Sequence, residues 1–153
     1  MAISEINLRL AEPIDGEGIA KIFRTSRQHF LPYLPQIHSF EEDVAYYSDV
    51  VLKESNVWCA EQNGILIGFC AFRDGWLDHL YCLPTHVGNG LGSRFLGKAK
   101  DRQAHLNLWV FQQNTNAILF YQKHGFTKIK ETDGSNCEEK VPDALYRWES
   151  ERG

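Results

Sequence analysis

The chain has 153 residues and a formal net charge of −4 at pH 7, with 43% hydrophobic and 24% charged residues. This length predicts a single domain over residues 1–153, large enough to bury a core. The acidic balance gives no sign of a nucleic-acid surface or a basic membrane patch. No apolar run approaches the roughly 18 residues of a spanning helix, and the N-terminus lacks a signal-peptide pattern. We therefore expect a cytoplasmic protein that binds neither nucleic acid nor a membrane.

The cysteines and histidines show no arrangement that favours a metal. Cys59, Cys70, Cys82 and Cys137 form no Cys-x-x-Cys pair, and the six histidines are scattered along the chain. Three of the cysteines fall within predicted strands, so we interpret all four as reduced, mostly buried thiols. No ligand spacing is that of a metal site, and we predict none.

The first third of the chain predicts one strand and two helices. Apolar and polar residues alternate over 6–10, which is typical of a strand, and 14–27 has the periodicity of a helix. The segment 29–38 contains two prolines and predicts a connecting loop, unusually rich in apolar and aromatic residues. A Ser-x-x-Glu capping box then opens a helix predicted over 39–54.

Three strands are predicted next. The segments 57–61 and 65–73 flank the dipeptide Asn63-Gly64, which is the strongest short signal for a hairpin. Gly75 permits a second turn, and a third strand is predicted over 76–83. The three segments therefore predict an antiparallel meander at the centre of the chain.

A glycine-rich segment follows the third of these strands. Gly88, Gly90 and Gly92 stand at alternate positions, and a helix is predicted to begin near Leu91. Glycine lets the backbone approach a ligand, and the first turn of a helix offers free N–H groups to an anion. The arrangement predicts a phosphate-binding loop, although a tight strand-to-helix turn that binds nothing would have the same glycine pattern.

The last third predicts three strands and a short helix. A buried strand is predicted over 106–111, and a helix begins at Asn114 or at the residue after it. Strands are predicted over 126–131 and 144–148, on either side of the polar loop 132–143. The whole chain then has the order β-α-α-β-β-β-α-β-α-β-β.

Two motifs resemble those of the GNAT superfamily of acyl-CoA-dependent N-acetyltransferases. Gly90 and Gly92 occupy the glycine positions of the family's phosphate loop, Gln/Arg-x-x-Gly-x-Gly/Ala, and Val87 stands where the family has Gln or Arg. The segment 114–126 matches the family's Asn-x-x-Ala-x-x-Phe-Tyr-x-x-x-Gly-Phe signature without a gap. The resemblance implies an α/β protein with the GNAT fold, in which a mixed, largely antiparallel sheet of six to seven strands packs with four helices.

The resemblance also implies an activity. A GNAT enzyme transfers an acetyl group from acetyl-CoA to a primary amine of a small molecule or peptide, by direct attack with general acid and base assistance. A non-catalytic acyl-CoA-binding sensor or regulatory module is the alternative, and the superfamily commonly forms homodimers. A dinucleotide-dependent oxidoreductase is not favoured, because the glycine spacing differs and no acidic residue stands near 109–113.

The family motifs assign coenzyme A binding to a strand, the glycine loop and two helices. The residues concerned are Leu80, Tyr81, Cys82, Leu83, Val87, Gly88, Asn89, Gly90, Leu91, Gly92, Ser93, Asn114, Ala117, Phe120 and Tyr121. The loop amides would hold the pyrophosphate, and the strand would pair with the pantetheine arm. Loss of the family's Gln or Arg at Val87 removes one side-chain contact but leaves the backbone amides.

Three residues are candidates for proton transfer. Tyr121 matches the family's tyrosine and would donate a proton to the leaving thiolate, unless it only packs on the sheet. The family's base positions on the strand before the loop include Asp78, which would alternatively form a salt bridge at the end of the sheet. His79 is the second candidate base if a bulge turns it toward the site, and is otherwise a hydrogen-bonded core histidine.

By resemblance, the acceptor site is built from the first two helices with the loop between them, and from the loop before the last strand. We select Tyr33 and His38 from the first segment and Asp143 from the second, since aromatic rings and carboxylates suit a cation. These segments also contain other aromatic, histidine and acidic side chains: His29, Phe30, Asp133, Glu138 and Glu139. An ordinary solvated acidic loop is the alternative.

Overall fold

A computed structural model describes residues 5–151 of the chain. Within them, seven strands lie at Asn7–Leu10 (β1), Asn56–Gln62 (β2), Ile65–Arg73 (β3), Trp76–Cys82 (β4), His105–Phe111 (β5), Thr127–Glu131 (β6) and Asp143–Glu149 (β7). The helices are Gly16–Phe30 (α1), the composite helix 40–54 (α2), Leu91–Lys100 (α3) and Thr115–Lys123 (α4). The predicted order of strands and helices is confirmed. None of the helices in this part of the chain is long and apolar enough to cross a membrane.

All seven strands form one sheet in the order β1-β2-β3-β4-β5-β7-β6. Neighbouring strands are antiparallel except β4 and β5, which are parallel. These two strands pair only at Trp76 and Asn107, near their N-terminal ends. Within the described residues no further ladder pair joins them, so the sheet opens into a cleft between their C-terminal halves.

The helices cover the two faces of the sheet and create two cores. On the first, which we call the α1 face, α1 and α2 pack on the central strands with a core of Ile19, Ala20, Ile22, Tyr47, Val51, Val57, Cys59, Phe69 and Ala71. On the opposite α3 face, the largest fully buried side chains are Phe95, Leu91, Leu96, Leu106, Leu108 and Phe126. The four cysteines are free thiols.

Helix α2 begins as the capping box predicts and then changes its winding. The Ser39 hydroxyl accepts a hydrogen bond from the Glu42 N–H, and the Glu42 carboxylate accepts one from the Ser39 N–H. The segments Phe40–Tyr46 and Leu52–Glu54 are α-helical, whereas Tyr47–Val51 between them is a π-helix. Such a wide turn often marks a functional site, and here it begins at Tyr47, which is 1% exposed.

The central hairpins contain the predicted turn and a bulge of the kind that the sequence analysis named as a condition for His79. Asn63 and Gly64 have φ of 56° and 77°, as the mirror-image turn of a two-residue hairpin requires. Between β3 and β4 the register shifts, because Ala71 pairs with His79 while the following residue pairs with Leu77. Asp78 is thus the extra residue of a β-bulge, which changes the direction of the side chains that follow it.

Candidate active site

The cleft between β4 and β5 presents free backbone edge on its β4 side. The Leu83 N–H donates to the Ile67 carbonyl on β3, at 2.8 Å, so alternation along the strand directs the backbone groups of Leu80 and Cys82 toward the cleft. The Cys82 carbonyl also accepts a hydrogen bond of 2.9 Å from the buried hydroxyl of Ser26 on α1. The remaining edge groups can pair with an extended chain that lies along β4.

The glycine loop follows at the end of β4, after a 3-10 turn over Pro84–His86. Gly88 and Gly90 both have φ of 84°, and no atom of the described residues lies within 4 Å of where a β-carbon at either would stand. Gly90 is also the N-cap of α3. The loop therefore combines left-handed backbone, open space and the free N–H groups of a helix N-terminus, which together suit a phosphate.

The other predicted side chains of the loop are near the same helix end. The Asn89 side chain accepts a hydrogen bond of 3.3 Å from the Leu91 N–H, and Ser93 contacts the ring of His124 at 3.1 Å. Val87 is 52% exposed in an extended conformation. An apolar side chain there offers no hydrogen bond to a phosphate, so the predicted phosphate site depends on backbone N–H groups.

Helix α4 brings the second motif against the same cleft. Burial raises the pKa of Tyr121, whose side chain packs against the core of the α3 face together with Cys70 of β3 and Leu77 of β4. Asn114 caps the helix by accepting a hydrogen bond of 3.4 Å from the Ala117 N–H. The cap role predicted as the alternative for Asn114 is therefore present, and a role in cofactor binding stays a prediction.

Asp78 forms the ion pair that the sequence left open as its alternative role. Its carboxylate accepts two hydrogen bonds from the Arg73 guanidinium, at 2.5 and 3.0 Å, across the turn between β3 and β4. Because of the bulge, Leu77 packs in the core of the α3 face, whereas His79 contacts the aromatic rings of the α1 face. A role for Asp78 as the base stays a prediction.

The bulge directs His79 into a cluster of aromatic rings. Its Nδ1 lies 3.4 Å from the Tyr47 hydroxyl, and its ring centroid lies 5.3 to 6.3 Å from those of Tyr46, Tyr47, Phe69 and Tyr81. Burial lowers the pKa of His79 to about 4. The imidazole is therefore neutral at physiological pH, and it has a hydrogen-bond partner as in the core-histidine alternative. Its role as the second candidate base is untested.

A first cavity, of about 290 Å³, lies between α1, the 31–38 loop and the β6–β7 loop. His38 contributes to its wall and forms ion pairs with Glu138 and, at 3.6 Å, with Glu42. The pKa of His38 is raised, chiefly by the hydrogen bond to Glu138. Tyr33 lies outside the cavity lining and is 41% exposed. The structure thus brings one of the two predicted residues of this loop into a cavity wall.

A second cavity, of about 500 Å³, lies at the C-terminal end of β5 below the β6–β7 loop. Asp143 lines it, but the residue is only 9% exposed and its carboxylate accepts a hydrogen bond from the Thr132 hydroxyl. The second cavity also contains Trp109, which is 46% exposed on β5. Asp143 therefore has a structural partner as well as the predicted position at a cavity.

Sequence reasoning missed two side chains at this site. Ser26 has no sequence signal, because a small polar residue in a helix is ordinary until its carbonyl partner on β4 is known. Arg27 lies one turn after Phe23, and its guanidinium lies over that ring at 5.3 Å and near Glu139 at 3.5 Å. The helical spacing of a cation and an aromatic ring was the available signal for Arg27.

Comparisons with known proteins agree with this geometry. A family model described as "Acetyltransferase (GNAT) domain" matches residues 53–128. The peptidyl-lysine N-acetyltransferase YiaC of Escherichia coli is 35% identical over 51% of this chain and 54% of its own. The peptidyl-lysine N-acetyltransferase YjaB of Salmonella typhimurium is 30% identical over 79% of this chain and 83% of its own. The chain thus matches about half the length of the first relative and most of the second.

Solved structures have the same fold. The apo form of YjaB from Escherichia coli superposes with a TM-score of 0.74 at 23% identity, covering 94% of this chain and 97% of that one. The yncA protein from Salmonella typhimurium, solved with its cofactor acetyl-CoA, has a TM-score of 0.73 at 19% identity, covering 95% of this chain and 94% of that one. The sheet that opens between β4 and β5 and the glycine loop at its end agree with the matched relatives. The chain therefore belongs to the GNAT family of N-acetyltransferases.

Proposed function

We propose that this chain transfers an acetyl group from acetyl-CoA to a primary amine of a small molecule or peptide. The observation that carries the proposal is the continuity between the β4–β5 cleft and the glycine loop. An amide chain fits the cleft-facing backbone of Leu80 and the N–H of Cys82, and a pyrophosphate fits the open space at Gly88 and Gly90. The two parts of coenzyme A need these two environments in this order.

When bound, acetyl-CoA supplies an activated thioester, and the chain's own groups supply the rest of the chemistry. A cleft-facing N–H of β4 stabilises negative charge on the thioester oxygen. Tyr121 donates a proton to the leaving sulfur, since burial keeps its phenol protonated. Asp78 and His79 are the candidates that accept the proton of the attacking nitrogen.

The lysine side chain of a peptide is the first acceptor to test. The matched relatives YiaC and YjaB are both named peptidyl-lysine N-acetyltransferases. Such an acceptor would approach from the α1 face, where Phe23 of the first cavity meets Tyr81 on β4 at a centroid distance of 5.4 Å. A cytoplasmic location and a homodimer stay predictions from the sequence.

The non-catalytic acyl-CoA-binding module is not favoured. The relatives that match this chain are named as enzymes. Tyr121 and a base would also have no task in a protein that only binds the cofactor. Turnover with an amine, measured directly, separates the two functions.

Calorimetric titration with acetyl-CoA tests the cofactor site. We expect micromolar binding by the native protein and none by Gly90→Glu, because the new side chain and its charge would occupy the phosphate position. Gly64→Glu is the matched control, since Gly64 also has positive φ and open space but lies in the β2–β3 turn. It should bind normally. Absence of binding by the folded native protein, or equal loss in both variants, would contradict the proposal.

A further inference from the structure

We propose that Glu139 binds the ammonium group of the acceptor amine, at the junction of the two cavities. This inference rests on the proposed acetyl transfer and names the acceptor-binding residue for it. Glu139 lies in the β6–β7 loop, next to Glu138, which is paired with His38 at the surface. The position, the partners and the surroundings of the two adjacent glutamates differ, and each difference favours Glu139.

Position is the first argument. Among the residues that the structure describes, Glu139 is the one carboxylate that lines both cavities. The first cavity brings it together with Phe23 and Arg27 of α1, and the second with Val110 and Phe111 at the open end of β5. A group bound by Glu139 is therefore accessible from either cavity.

The partners of the carboxylate are the second argument. The Glu139 side chain is 14% exposed, and its ion pair with the Arg27 Nη2 is 3.5 Å long. Within residues 5–151, no group donates a hydrogen bond to this carboxylate. By contrast, Arg24 and Asp43 in the same cavity form a close pair at 2.7 Å. Glu139 thus keeps acceptor capacity for a ligand, and a primary ammonium brings three N–H donors.

Proximity to β4 is the third argument. The Arg27 guanidinium that pairs with Glu139 lies over the Phe23 ring at 5.3 Å, and Phe23 meets Tyr81 on β4 at a centroid distance of 5.4 Å. Glu139 is thus linked through Arg27 and Phe23 to a residue of β4 that lies between His79 and Leu83. Because Leu80 and Cys82 present their backbone to the cleft, an ammonium held by Glu139 would lie beside the proposed acetyl position.

The first cavity also defines what should be attached to the amine. One side of its wall is aliphatic, formed by Leu31, Pro32, Leu34, Pro35 and Ile37 from the loop after α1. A hydrocarbon stem fits this wall. The ammonium at the end of the stem loses contact with water in the cavity, so it needs an oppositely charged partner such as Glu139. The ligand is therefore an alkyl primary ammonium, which a lysine side chain or a free aliphatic amino acid would each provide.

Equilibrium binding of n-pentylamine, protonated at pH 7, tests the assignment without requiring turnover. We expect Glu139→Gln to weaken its binding about 10- to 100-fold, because hydrogen bonds to a charged group are worth more than neutral ones. Glu138→Gln is the matched control and should change binding less than about threefold, since exposed ion pairs contribute little. Equal affinities in both variants, or no binding by the native protein, would overturn the proposal.

A second ligand identifies the source of the ammonium. Norleucine has a hydrocarbon stem like that of pentylamine but adds a carboxylate, which the Arg27 guanidinium beside Glu139 could bind. Tighter binding of norleucine than of pentylamine would assign a free amino acid, and the reverse would assign a lysine side chain. For either assignment, Glu139→Gln must also weaken the binding of the tighter ligand.

Kinetics separates failure of this inference from failure of the proposed function. With a terminally blocked lysine peptide, Glu139→Gln should raise KM about tenfold or more while kcat and the acetyl-CoA affinity stay near native. A loss of kcat at unchanged KM would contradict an ammonium-binding role. A native protein that binds pentylamine through Glu139 yet acetylates no amine would refute the enzyme and leave the cation site standing.

Discussion

Gly92 lies so close to Phe120 that a β-carbon at position 92 would stand 2.9 Å from the phenyl ring. This contact joins the first turn of α3 to α4 and so connects the two motifs of the cofactor site. The three glycines of the loop thus have two different reasons to be glycine. Gly88 and Gly90 need positive φ, whereas Gly92 is helical and needs the absence of a side chain.

We expect Gly92→Ala to destabilise the fold by about 1–3 kcal/mol, because the ring must move in a packed interface. Gly97→Ala is the matched control in the same helix. No atom lies within 4 Å of its β-carbon position among the described residues, so it should stabilise the protein by roughly 0.5–1 kcal/mol. Urea denaturation gives both values, and equal effects of the two substitutions would refute the packing argument.

Tyr121→Phe should lower kcat at least about 100-fold while leaving acetyl-CoA affinity within about twofold of native. The ring remains in place, and only the proton for the sulfur is lost. Tyr146→Phe is the control, since Tyr146 is 3% exposed on β7 and has no proposed task. Steady-state kinetics and calorimetry check the two values. A native kcat in Tyr121→Phe would leave Tyr121 as a packing residue.

The sequence predicted features whose cause is local. The capping box at Ser39 depends on residues within one turn, and the Asn63-Gly64 turn depends on two backbone conformations. Both were confirmed. The order of strands and helices followed from hydrophobic periodicity and turn residues, which are also local signals.

Features that depend on contacts between distant segments escaped sequence analysis. The bulge at Asp78 arises from pairing with β3, and it decides which core receives His79. The π-helical turn that starts at Tyr47 gives no composition signal, although it delivers the hydroxyl beside that histidine. The approach of Arg27 to Glu139 joins α1 to the last loop. A contact between two segments so far apart in the sequence leaves no periodic pattern in either of them.

We expect His79→Gln to lower kcat more than Asp78→Asn does. The Asp78 carboxylate already accepts two hydrogen bonds from Arg73, whereas His79 is neutral and faces the side of the sheet that carries the first cavity. Arg73→Met is the control, because it breaks the same ion pair but keeps the carboxylate. A larger loss of kcat in Asp78→Asn, with Arg73→Met near native, would assign the base to Asp78.

His79 also predicts how stability depends on pH. Its pKa falls from 6.5 in the unfolded chain to about 4 in the folded protein, mainly through burial. Between these values the unfolded state binds more protons, so the contribution of neutral His79 is complete above about pH 6.5 and is lost as pH falls toward 4. Each pKa unit is worth about 1.4 kcal/mol, which sets an upper limit of about 3 kcal/mol on the change.

Denaturation at pH 7 and at pH 4 should therefore show a steeper loss of stability in the native protein than in His79→Gln. His38 provides a control of opposite sign, because the hydrogen bond to Glu138 raises its pKa. Its contribution is present at low pH and is lost as pH rises through the raised pKa, so His38→Gln should cost more stability at pH 5 than at pH 8. The opposite result would be an equal loss of stability, from pH 7 to pH 4, in the native protein and in His79→Gln. The imidazole would then have to be protonated and solvated in the folded protein. Its assignment as a neutral buried base would be wrong.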